Sequence, residues 1–323
     1  MSASKTILIT GAAGFIGRKL LARLASAPDK YTVTGTDLRE PPGLPAGVRF
    51  VTGNLLDQAA TAKLVAEVKP DVIVHLAAIV VPPPGMSRET MRQIDVDGTH
   101  CLLDAALAAG TKQFIVTSSG AAYGYHADNP EWLTEDLPPR GNPEFAYSDH
   151  KRLVEEMLAD YRAKHPALTQ LVLRPGTVLG ADVGNQITAI FSKPRVMGVR
   201  GSDSPFVFIW DQDLVDIIVR GIDTGKGGVY NVAGDGAVPL PEVARMLGKP
   251  YIAVPPGLLK VLLSLLHPLG LVPWGPEQIM FLQYRPVLLN AKLKNEFGYT
   301  PRMTSREAFA ALLAAQPELK KAG

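Results

Sequence analysis

The stretch ILITGAAGFIGRKLL, residues 7–21, joins an apolar strand to an amphipathic helix through a loop that contains three evenly spaced glycines. Gly11 permits a tight turn, Gly14 lets the backbone approach a pyrophosphate, and Gly17 lets the helix pack closely on the strand. The helix N-terminus offers amide groups and a dipole to an anion. In this strand-loop-helix context, the glycines predict a dinucleotide-binding loop.

Short β-branched runs alternate with helical patterns through the rest of the first half, for example YTVTGTD, DVIVHLA and QFIVTSS. Continuous apolar strands separated by helices predict a parallel sheet that is covered on both faces. We therefore predict an α/β protein with a doubly wound parallel sheet (Rossmann) over residues 1–175. A smaller, mixed and mostly helical substrate domain is expected over 176–323, with segments around 206–235 returning to the first domain.

The composition favours a protein that acts on small molecules. There are 33 Lys and Arg residues against 31 Asp and Glu residues, so a net charge of +2 gives no field that would hold nucleic acid. The single cysteine, Cys101, excludes an internal disulfide and lies in a helical pattern, where an inert buried thiol is expected rather than a nucleophile. The sequence begins without the features of a secretory signal, which predicts a cytoplasmic protein.

The most apolar stretch covers residues 255–274 and is interrupted by Lys260, His267 and Pro268. A membrane span needs about 20 uninterrupted apolar residues, so no transmembrane helix is expected here. The stretch is interpreted first as a core helix, and otherwise as a lid over a lipophilic pocket or a face that touches a membrane.

Asp37 ends the second predicted strand, about 20 residues after the glycine loop. An acid at this place accepts hydrogen bonds from the ribose hydroxyls of NAD, which is the predicted cofactor. Arg39 follows two residues later and could contact a 2′-phosphate, so NADP stays possible.

Tyr147 and Lys151 are four residues apart in a helical pattern and so share one face of the helix. A phenol loses its proton near pH 10, and a fixed ammonium nearby favours the phenolate, so the pair could form a base. Ser118 and Ser119 follow an apolar strand whose carboxyl end should face the same crevice. A turn held by local hydrogen bonds is the alternative interpretation of these serines.

Taken together, several motifs resemble those of an extended short-chain dehydrogenase/reductase of the NAD-dependent epimerase/dehydratase family, with its UDP-glucose 4-epimerase-like members. They are TGAAGFIG at 10–17, GNLLD at 53–57, HLAA at 75–78, SSGAAYG at 118–124, YSDHK at 147–151 and LRPGTVLG at 173–180. The order and spacing match over nearly the whole chain. The motifs are specific for fold and cofactor and carry little information about the substrate.

The resemblance implies a role for individual residues. Ser119, Tyr147 and Lys151 hold the catalytic positions, with Lys151 also touching the nicotinamide ribose. The implied cofactor-binding residues are Gly11, Gly14, Phe15, Ile16, Gly17, Asp37, Asn54, Leu55, Ala77, Ala78, Thr117, Tyr147, Lys151 and Pro175. The implied substrate-binding residues are Ser119, Asn185, Trp210 and Arg285.

Several positions depart from the family pattern. Asn54 replaces the usual acid near the adenine, and Asp95 replaces the asparagine of the motif Asn-Val-x-Gly-Thr. Gly120 and Ala121 stand where dehydratases of the family carry an Asp-Glu pair, which disfavours dehydration. The segment PFVFIWDQD, residues 205–213, lacks an arginine that many epimerases have there, so the substrate site is less charged and more apolar.

The leading hypothesis is an NAD-dependent epimerase or dehydrogenase acting on a nucleotide sugar, with Arg285 holding the diphosphate. A dehydrogenase of a lipophilic alcohol, like the hydroxysteroid dehydrogenases, is the first alternative, and a protein that only senses the dinucleotide is another. His75 is interpreted as a hydrogen-bonded histidine, and no metal site is expected because no acids and histidines have ligand spacing. The resemblance also implies a homodimer through the helices at 87–109 and 146–164.

Overall fold

The computed structural model describes residues 4–83, 85–184, 186–266, 269, 275 and 279–320. The chain divides into two compact units. The first unit comprises Met1–Ala122, His150–Arg174 and Asp211–Tyr230, and the second comprises Tyr123–Asp149, Pro175–Trp210 and Asn231–Gly323.

The strands are β1 (Lys5–Thr10), β2 (Tyr31–Asp37), β3 (Arg49–Thr52), β4 (Val72–His75), β5 (Gln113–Thr117), β6 (Thr169–Pro175), β7 (Thr177–Leu179), β8 (Val196–Val199), β9 (Phe208–Trp210), β10 (Gly228–Val232) and β11 (Tyr251–Val254). The α-helices are α1 (Phe15–Ala25), α2 (Gln58–Val68), α3 (Arg88–Arg92), α4 (Gly98–Ala108), α5 (Ala146–Lys164), α6 (Gln186–Phe191), α7 (Asp211–Thr224), α8 (Leu240–Leu247), α9 (Pro256–Leu266), α10 (Met280–Gln283) and α11 (Ser305–Ala315). A π-helical turn at Gln93–Asp97 connects α3 to α4.

Seven strands form one sheet in the order β10-β6-β5-β4-β1-β2-β3. The neighbouring pairs from β3 to β6 run parallel, which confirms the predicted doubly wound parallel sheet. The strand order reverses between β1 and β4, where Thr10 pairs with His75 at the carboxyl ends of the two strands. In open α/β sheets this reversal creates the crevice in which a ligand binds.

Apolar residues explain why the central strands lie inside the first unit. Ile7, Leu8 and Ile9 of β1 are fully buried, as expected for a strand that is covered on both faces. Each such side chain contributes about 1.5–3 kcal/mol by leaving water. Helix α1 packs Leu20, Leu21 and Leu24 in the core of the protein, so the glycine loop at its N-terminus is held by a rigid strand and a rigid helix.

A buried ion pair near the carboxyl end of β5 holds the neighbouring elements together. Arg174 of β6 donates from Nε and Nη2 to the Glu155 carboxylate of α5, with a shortest distance of 2.6 Å, and both side chains are at most 5% exposed. The Ser118 hydroxyl, directly after β5, donates to the same carboxylate at 2.5 Å. Glu155 therefore joins α5 to the ends of two neighbouring strands.

The second unit contains two small parallel sheets, β7 with β9 and β8 with β11. Its core is rich in phenylalanine, because Phe191, Phe206, Phe208 and Phe309 stack or meet edge to face with ring centroids 5.1–6.5 Å apart. Such aromatic pairs add to the free energy gained by burial alone.

Helix α9 differs from its sequence-based interpretation. None of its residues is buried, and Leu258, Val261 and Leu265 are 53–62% exposed, so the interpretation of residues 256–266 as a core helix is wrong. Hydropathy reports that a helix is apolar but not whether another element covers it. Apart from Leu269, residues 267–274 of the same apolar stretch lie outside the described residues. Within the described ranges, no helix has the length and hydropathy that a bilayer span requires.

The ion pair gives a direct test of what holds the end of β5. Replacement of Glu155 by alanine leaves the Arg174 guanidinium in the interior without its carboxylate, so we expect the free energy of unfolding to fall by about 3–5 kcal/mol. Glu156→Ala is the matched control, because Glu156 makes an exposed pair with Arg152 that is worth at most about 1 kcal/mol. Equal losses in urea denaturation would show that the buried pair has no special weight.

Candidate functional site

The glycine loop passes so close to its neighbours that side chains are excluded. Gly11 has φ of +68°, and a Cβ on it would lie 2.5 Å from the backbone nitrogen of Ala77. A Cβ on Gly17 would lie 2.3 Å from the carbonyl oxygen of Gly11. The fold therefore requires glycine at both positions, and it brings the predicted residues Gly11 and Ala77 together.

The loop also leaves the start of α1 open to an anion. Gly14 is the N-cap residue of α1 and, among the described side chains, none caps the helix there. The first helical residues Phe15, Ile16 and Gly17 thus present backbone amides toward the end of β1, as a pyrophosphate requires. The loop geometry fits the predicted dinucleotide.

Asp37 is held against this loop at the end of β2. Its Oδ2 accepts a hydrogen bond from the Ala13 amide at 2.9 Å, and its Oδ1 accepts one from the Leu38 amide at 2.7 Å. The carboxylate is thereby fixed where the resemblance places the adenosine ribose. Arg39 and Arg18 line an adjoining cavity of about 440 Å³ with Ala13, Glu40, Pro41 and Pro42. The two arginines therefore place positive charge beside the loop that holds Asp37.

A second, smaller cavity of about 70 Å³ lies between β3 and α2, and Asn54 and Leu55 are among its lining residues. Asn54 uses its side-chain oxygen to accept a hydrogen bond from the Leu56 amide at 3.0 Å. The amide that replaces the family's acid is therefore engaged in a local turn, with its second lone pair and its NH₂ group left for the adenine.

His75 at the end of β4 is a buried, hydrogen-bonded residue, in agreement with its interpretation from the sequence. The Thr99 hydroxyl donates to the Asp95 carbonyl at 2.5 Å, so it must accept from Nε2 of His75 at 2.9 Å. Nδ1 then accepts from the Thr10 hydroxyl at 2.6 Å. The pKa of His75 is lowered to about 3, mainly by burial and also by the charge of Lys151, and Asp95 partly opposes both effects.

Asp95 connects the segment after β4 to α5. Its Oδ1 accepts a hydrogen bond from the Ile79 amide at 2.8 Å, and its Oδ2 lies 3.3 Å from Nδ1 of His150. Both side chains are buried. The unusual acid at position 95 thus has a partner that the sequence analysis did not identify. The sequence does contain a signal for this pair. His150 directly precedes Lys151, and Asp95 stands where the family pattern has a neutral asparagine.

Lys151 is buried and points at the end of β5. Its Nζ donates to the carbonyl oxygen of Thr117 at 2.9 Å. Burial lowers the pKa of Lys151, whereas the negative charges of Asp95 and Glu155 raise it. Thr117 and Lys151, both predicted cofactor-binding residues, are therefore in contact, and Tyr147 lies four residues earlier in α5.

The two serines after β5 have different surroundings. Ser118 is 3% exposed and gives its hydroxyl hydrogen to Glu155. Ser119 is half-buried, and its oxygen accepts from the Ala121 amide at 3.1 Å, so its hydroxyl hydrogen stays available to a ligand. This difference favours the predicted serine, Ser119, over its neighbour.

The remaining predicted residues belong to the second unit. Pro175 ends β6 and is buried, and Trp210 ends β9 and is half-buried. Arg285 is partly exposed, lies over the ring of Phe206 at 3.9 Å, and donates from Nε to the Ser204 hydroxyl at 3.2 Å. Asn185 lies outside the described residues. The roles of these residues in substrate binding stay predictions.

Cys101 and possible metal ligands are the remaining groups to consider at the candidate site. Cys101 is buried, and desolvation together with Asp104 and Asp57 raises the pKa of its thiol, as for an inert residue. In the part of the chain that the structure describes, no cluster of three or more His, Cys, Asp or Glu side chains could hold a metal ion.

Comparison with known proteins gives a consistent assignment. Residues 7–233 match the model of the NAD dependent epimerase/dehydratase family. The uncharacterized protein Rv0501 of Mycobacterium tuberculosis is 25% identical over 310 residues, which cover 94% of this chain and 82% of the relative. The 3-diazoavenalumate denitrifying reductase of a Streptomyces species is 28% identical over 260 residues, covering 76% of this chain and 82% of the relative.

The UDP-glucose 4-epimerase of Thermotoga maritima, solved with UDP-glucose, has the same fold. The TM-score is 0.75 at 19% identity, and the alignment covers 98% of this chain and 100% of the epimerase.

The buried imidazole predicts a pH dependence of stability. The folded pKa of His75 lies below the ordinary value, so between pH 6.5 and 3 the unfolded chain binds a proton that the folded protein excludes. Stability is therefore lost as the pH falls. We expect the wild type to lose about 2 kcal/mol more than His75→Gln between pH 7 and pH 5.

Urea denaturation at each pH measures this difference. His100→Gln is the control, because it removes an exposed histidine and leaves the buried one in place. If His75→Gln and the wild type lose stability in parallel, His75 is not excluded from protonation in the folded state.

Asp95 gives a prediction about hydrogen bonding. Asp95→Ala removes the acceptor of the Ile79 amide and the partner of His150, so we expect the free energy of unfolding to fall by about 1–3 kcal/mol. Asp95→Asn can accept from Ile79 and donate to His150, and it should lose less than half as much. Asp97→Ala, at an exposed acid that pairs with Arg92, is the control. If Asn and Ala are equally destabilising at position 95, the negative charge matters more than the hydrogen bonds.

Proposed function

Because the chain belongs to the NAD dependent epimerase/dehydratase family, we propose that it interconverts a secondary alcohol and the corresponding ketone at Ser119, Tyr147 and Lys151. The protein is an NAD-dependent enzyme of the extended short-chain dehydrogenase/reductase type. The observation that carries the proposed site is the position of the Lys151 ammonium, held by the Thr117 carbonyl at 2.9 Å one helical turn after Tyr147.

Tyr147 acts in this proposal as the group that exchanges a proton with the substrate. An isolated phenol loses its proton only near pH 10, so it needs a nearby positive charge to act as a base at neutral pH. Lys151 supplies that charge from a fixed place, because its side chain is buried and hydrogen-bonded. The Asp95 and Glu155 carboxylates support the charged form of the lysine.

Ser119 holds the substrate oxygen in the proposed mechanism. Its hydroxyl donates a hydrogen bond to that oxygen while the oxygen changes between alcohol and ketone. Bound NAD would supply the hydride acceptor for the alcohol carbon, and NADH would supply the hydride donor for the reverse reaction. Gly11, Gly14 and Gly17 would hold the pyrophosphate, and Asp37 would hold the adenosine ribose.

Two substrate classes are supported by different observations. A nucleotide sugar is favoured by the likeness to an epimerase solved with UDP-glucose and by the position of Arg285. A lipophilic alcohol is favoured by the segment at 205–213, which lacks the arginine that many epimerases carry, and by the exposed apolar side chains of α9. Epimerisation requires that the ketone stay bound, turn over and be reduced on its other face, whereas a dehydrogenase releases it.

The predicted homodimer through 87–109 and 146–164 stays a prediction. It is supported by the packing of α4 beside α5, where the Tyr161 hydroxyl donates to Asp104 at 2.5 Å. The two helices thus form one continuous surface of the first unit.

Replacement of Tyr147 by phenylalanine tests the proposed chemistry. With NAD(H), UDP-glucose epimerisation and the reduction of aryl ketones such as 4-acetylbenzoate are the two probe reactions. We expect the variant to lose a factor of about 10²–10⁴ in kcat on whichever probe the wild type converts, because proton transfer is lost. Isothermal titration calorimetry should show NADH binding within threefold of the wild type.

Tyr161→Phe is the matched control, since Tyr161 lies on the same helix and forms no part of the proposed site. It should keep the rate of the wild type. A Tyr147→Phe variant that also keeps the rate would exclude Tyr147 as the acid and base. Binding of NADH without conversion of either class of probe would instead favour a protein that only senses the dinucleotide.

A further inference from the structure

Tyr147 is part of a cluster of aromatic side chains in the second unit. The ring of Phe145 lies 6.0 Å from that of Tyr147 and 4.3 Å from that of Phe281, and Phe281 lies 4.7 Å from Tyr125. All four side chains are half-buried. We call these four residues the aromatic wall. A partly open wall of rings beside the proposed base offers a surface to an apolar or aromatic substrate.

The wall is held in place by one buried amide. Asn142 is 3% exposed, and its Oδ1 accepts hydrogen bonds from the Tyr125 amide at 2.7 Å and from the Ser148 hydroxyl at 3.3 Å. Its Nδ2 points at the sulfur of Met280, 3.4 Å away. Ser148 and Met280 are the sequence neighbours of Tyr147 and Phe281. Asn142 therefore joins the three segments that carry the four rings, so the surface is organised before a ligand arrives.

Arg285 lies at the Tyr125 end of the wall. The segment at 202–204 is joined to α10, which carries Phe281, because the Ser202 hydroxyl donates to the Gln283 carbonyl at 2.7 Å. Burial raises the pKa of Tyr125, and the positive charge of Arg285 lowers it, so the two side chains are within electrostatic reach. A ligand that lies on the wall at Tyr125 can therefore interact with the charge of Arg285.

The Arg285 guanidinium is held in one position by neutral groups of the described residues. Its Nε donates to Ser204, a fully buried serine with a φ of +42°, which is rare and costly for a residue that is not glycine. Its plane lies on the Phe206 ring. Throughout the described ranges, no carboxylate forms an ion pair with Arg285. Both Nη groups therefore keep the fork that binds a carboxylate in a bidentate manner.

The surroundings of Arg285 favour the binding of an anion. Burial lowers the pKa of Arg285 to about 10, so the group keeps its charge at neutral pH although part of its hydration has been lost. A partly desolvated cation gains more from an anionic ligand than a cation in water does. One guanidinium matches one carboxylate, whereas a diphosphate carries two charges. Aromatic rings also match a flat apolar body better than a hydroxyl-rich sugar.

We propose that this surface selects ketones and secondary alcohols with an aromatic body and a single carboxylate, the carboxylate binding Arg285 and the body lying on the aromatic wall. The inference rests on the proposed function for its reacting group, because Tyr147 is both a wall residue and the proposed acid and base. Of the two proposed substrate classes, the inference selects the lipophilic class, and it adds that the substrate carries one negative charge.

Matched pairs of probes test the charge preference. Calorimetry in the presence of oxidised NAD, which cannot reduce a ketone, compares 4-acetylbenzoate with 4-acetylbenzamide, and 4′-acetylbiphenyl-4-carboxylate with its amide, because the wall spans several rings. We expect each carboxylate to bind about 10- to 100-fold more tightly than its amide. Arg285→Met should abolish this preference and leave the affinity for the amides unchanged. The effect should appear in KM and not in kcat for any probe that is converted.

Two further variants separate a local effect from loss of the fold. Arg285→Lys keeps the charge but not the fork, and it should retain part of the preference. Arg245→Met, at an exposed arginine, should retain all of it. Phe281→Ala should weaken both members of each pair by a similar factor, because it removes wall surface and no charge. Thermal unfolding of each variant identifies any that fails to fold.

The outcomes distinguish this inference from the proposed function. The inference is overturned if the acids and amides bind equally, if neither binds, or if Arg285→Met keeps the preference for the acids. This holds whatever the rate at which the probes are converted. The inference is also overturned if UDP-glucose binds more tightly than either carboxylate and that binding is lost in Arg285→Met. Selective binding of the carboxylates without any conversion supports the inference and refutes the proposed chemistry. Conversion of the probes without a preference for the carboxylates refutes the inference and supports the proposed chemistry.

Discussion

A single buried hydrogen bond, from the Lys151 ammonium to the Thr117 carbonyl, sets the geometry on which the proposed chemistry depends. It ties α5 to the carboxyl end of β5, and the sheet fixes that end relative to the glycine loop on β1. A lysine side chain has many rotamers in water, and burial against a carbonyl removes that freedom before a substrate arrives. The charge beside Tyr147 is thereby placed by the fold and not by the ligand.

Buried charges of both signs surround this lysine, and the balance between them explains why it can remain charged. Arg174 is neutralised by Glu155, and Lys151 lies within reach of both Glu155 and Asp95. Burial alone disfavours the ammonium. The carboxylate at position 95, where the family pattern has a neutral amide, adds a negative charge that opposes this effect. The second carboxylate oxygen of Asp95 lies 3.3 Å from Nδ1 of His150. Asp95 thus adds negative charge near Lys151 while it contacts both the Ile79 amide and His150.

Local patterns predicted the fold well because the interactions behind them are local. The glycine loop could be read from the sequence, since a tight turn and a close helix-strand contact each require glycine at a fixed spacing. The pairing of Asp95 with His150, 55 residues apart, depends on how α5 packs beside β4, and no sequence spacing encodes it. The choice between Ser118 and Ser119 likewise depends on Glu155, 37 residues from Ser118. Helix α9 was misread because its hydropathy contains no information about its neighbours.

The same reasoning explains why the substrate is harder to predict than the cofactor. The dinucleotide is held by backbone amides and by tight glycine contacts, which leave a strong sequence pattern. The proposed substrate recognition in the second unit uses side chains from separate segments, including Tyr125, Phe145, Phe281 and Arg285, whose effect depends on their surroundings. An arginine in water adds little to binding, whereas one that lies on a ring and is partly desolvated interacts strongly with an anion. The proposed charge selection would therefore arise from the environment of Arg285, and a change in that environment could alter it without any change at the proposed proton-transfer residues.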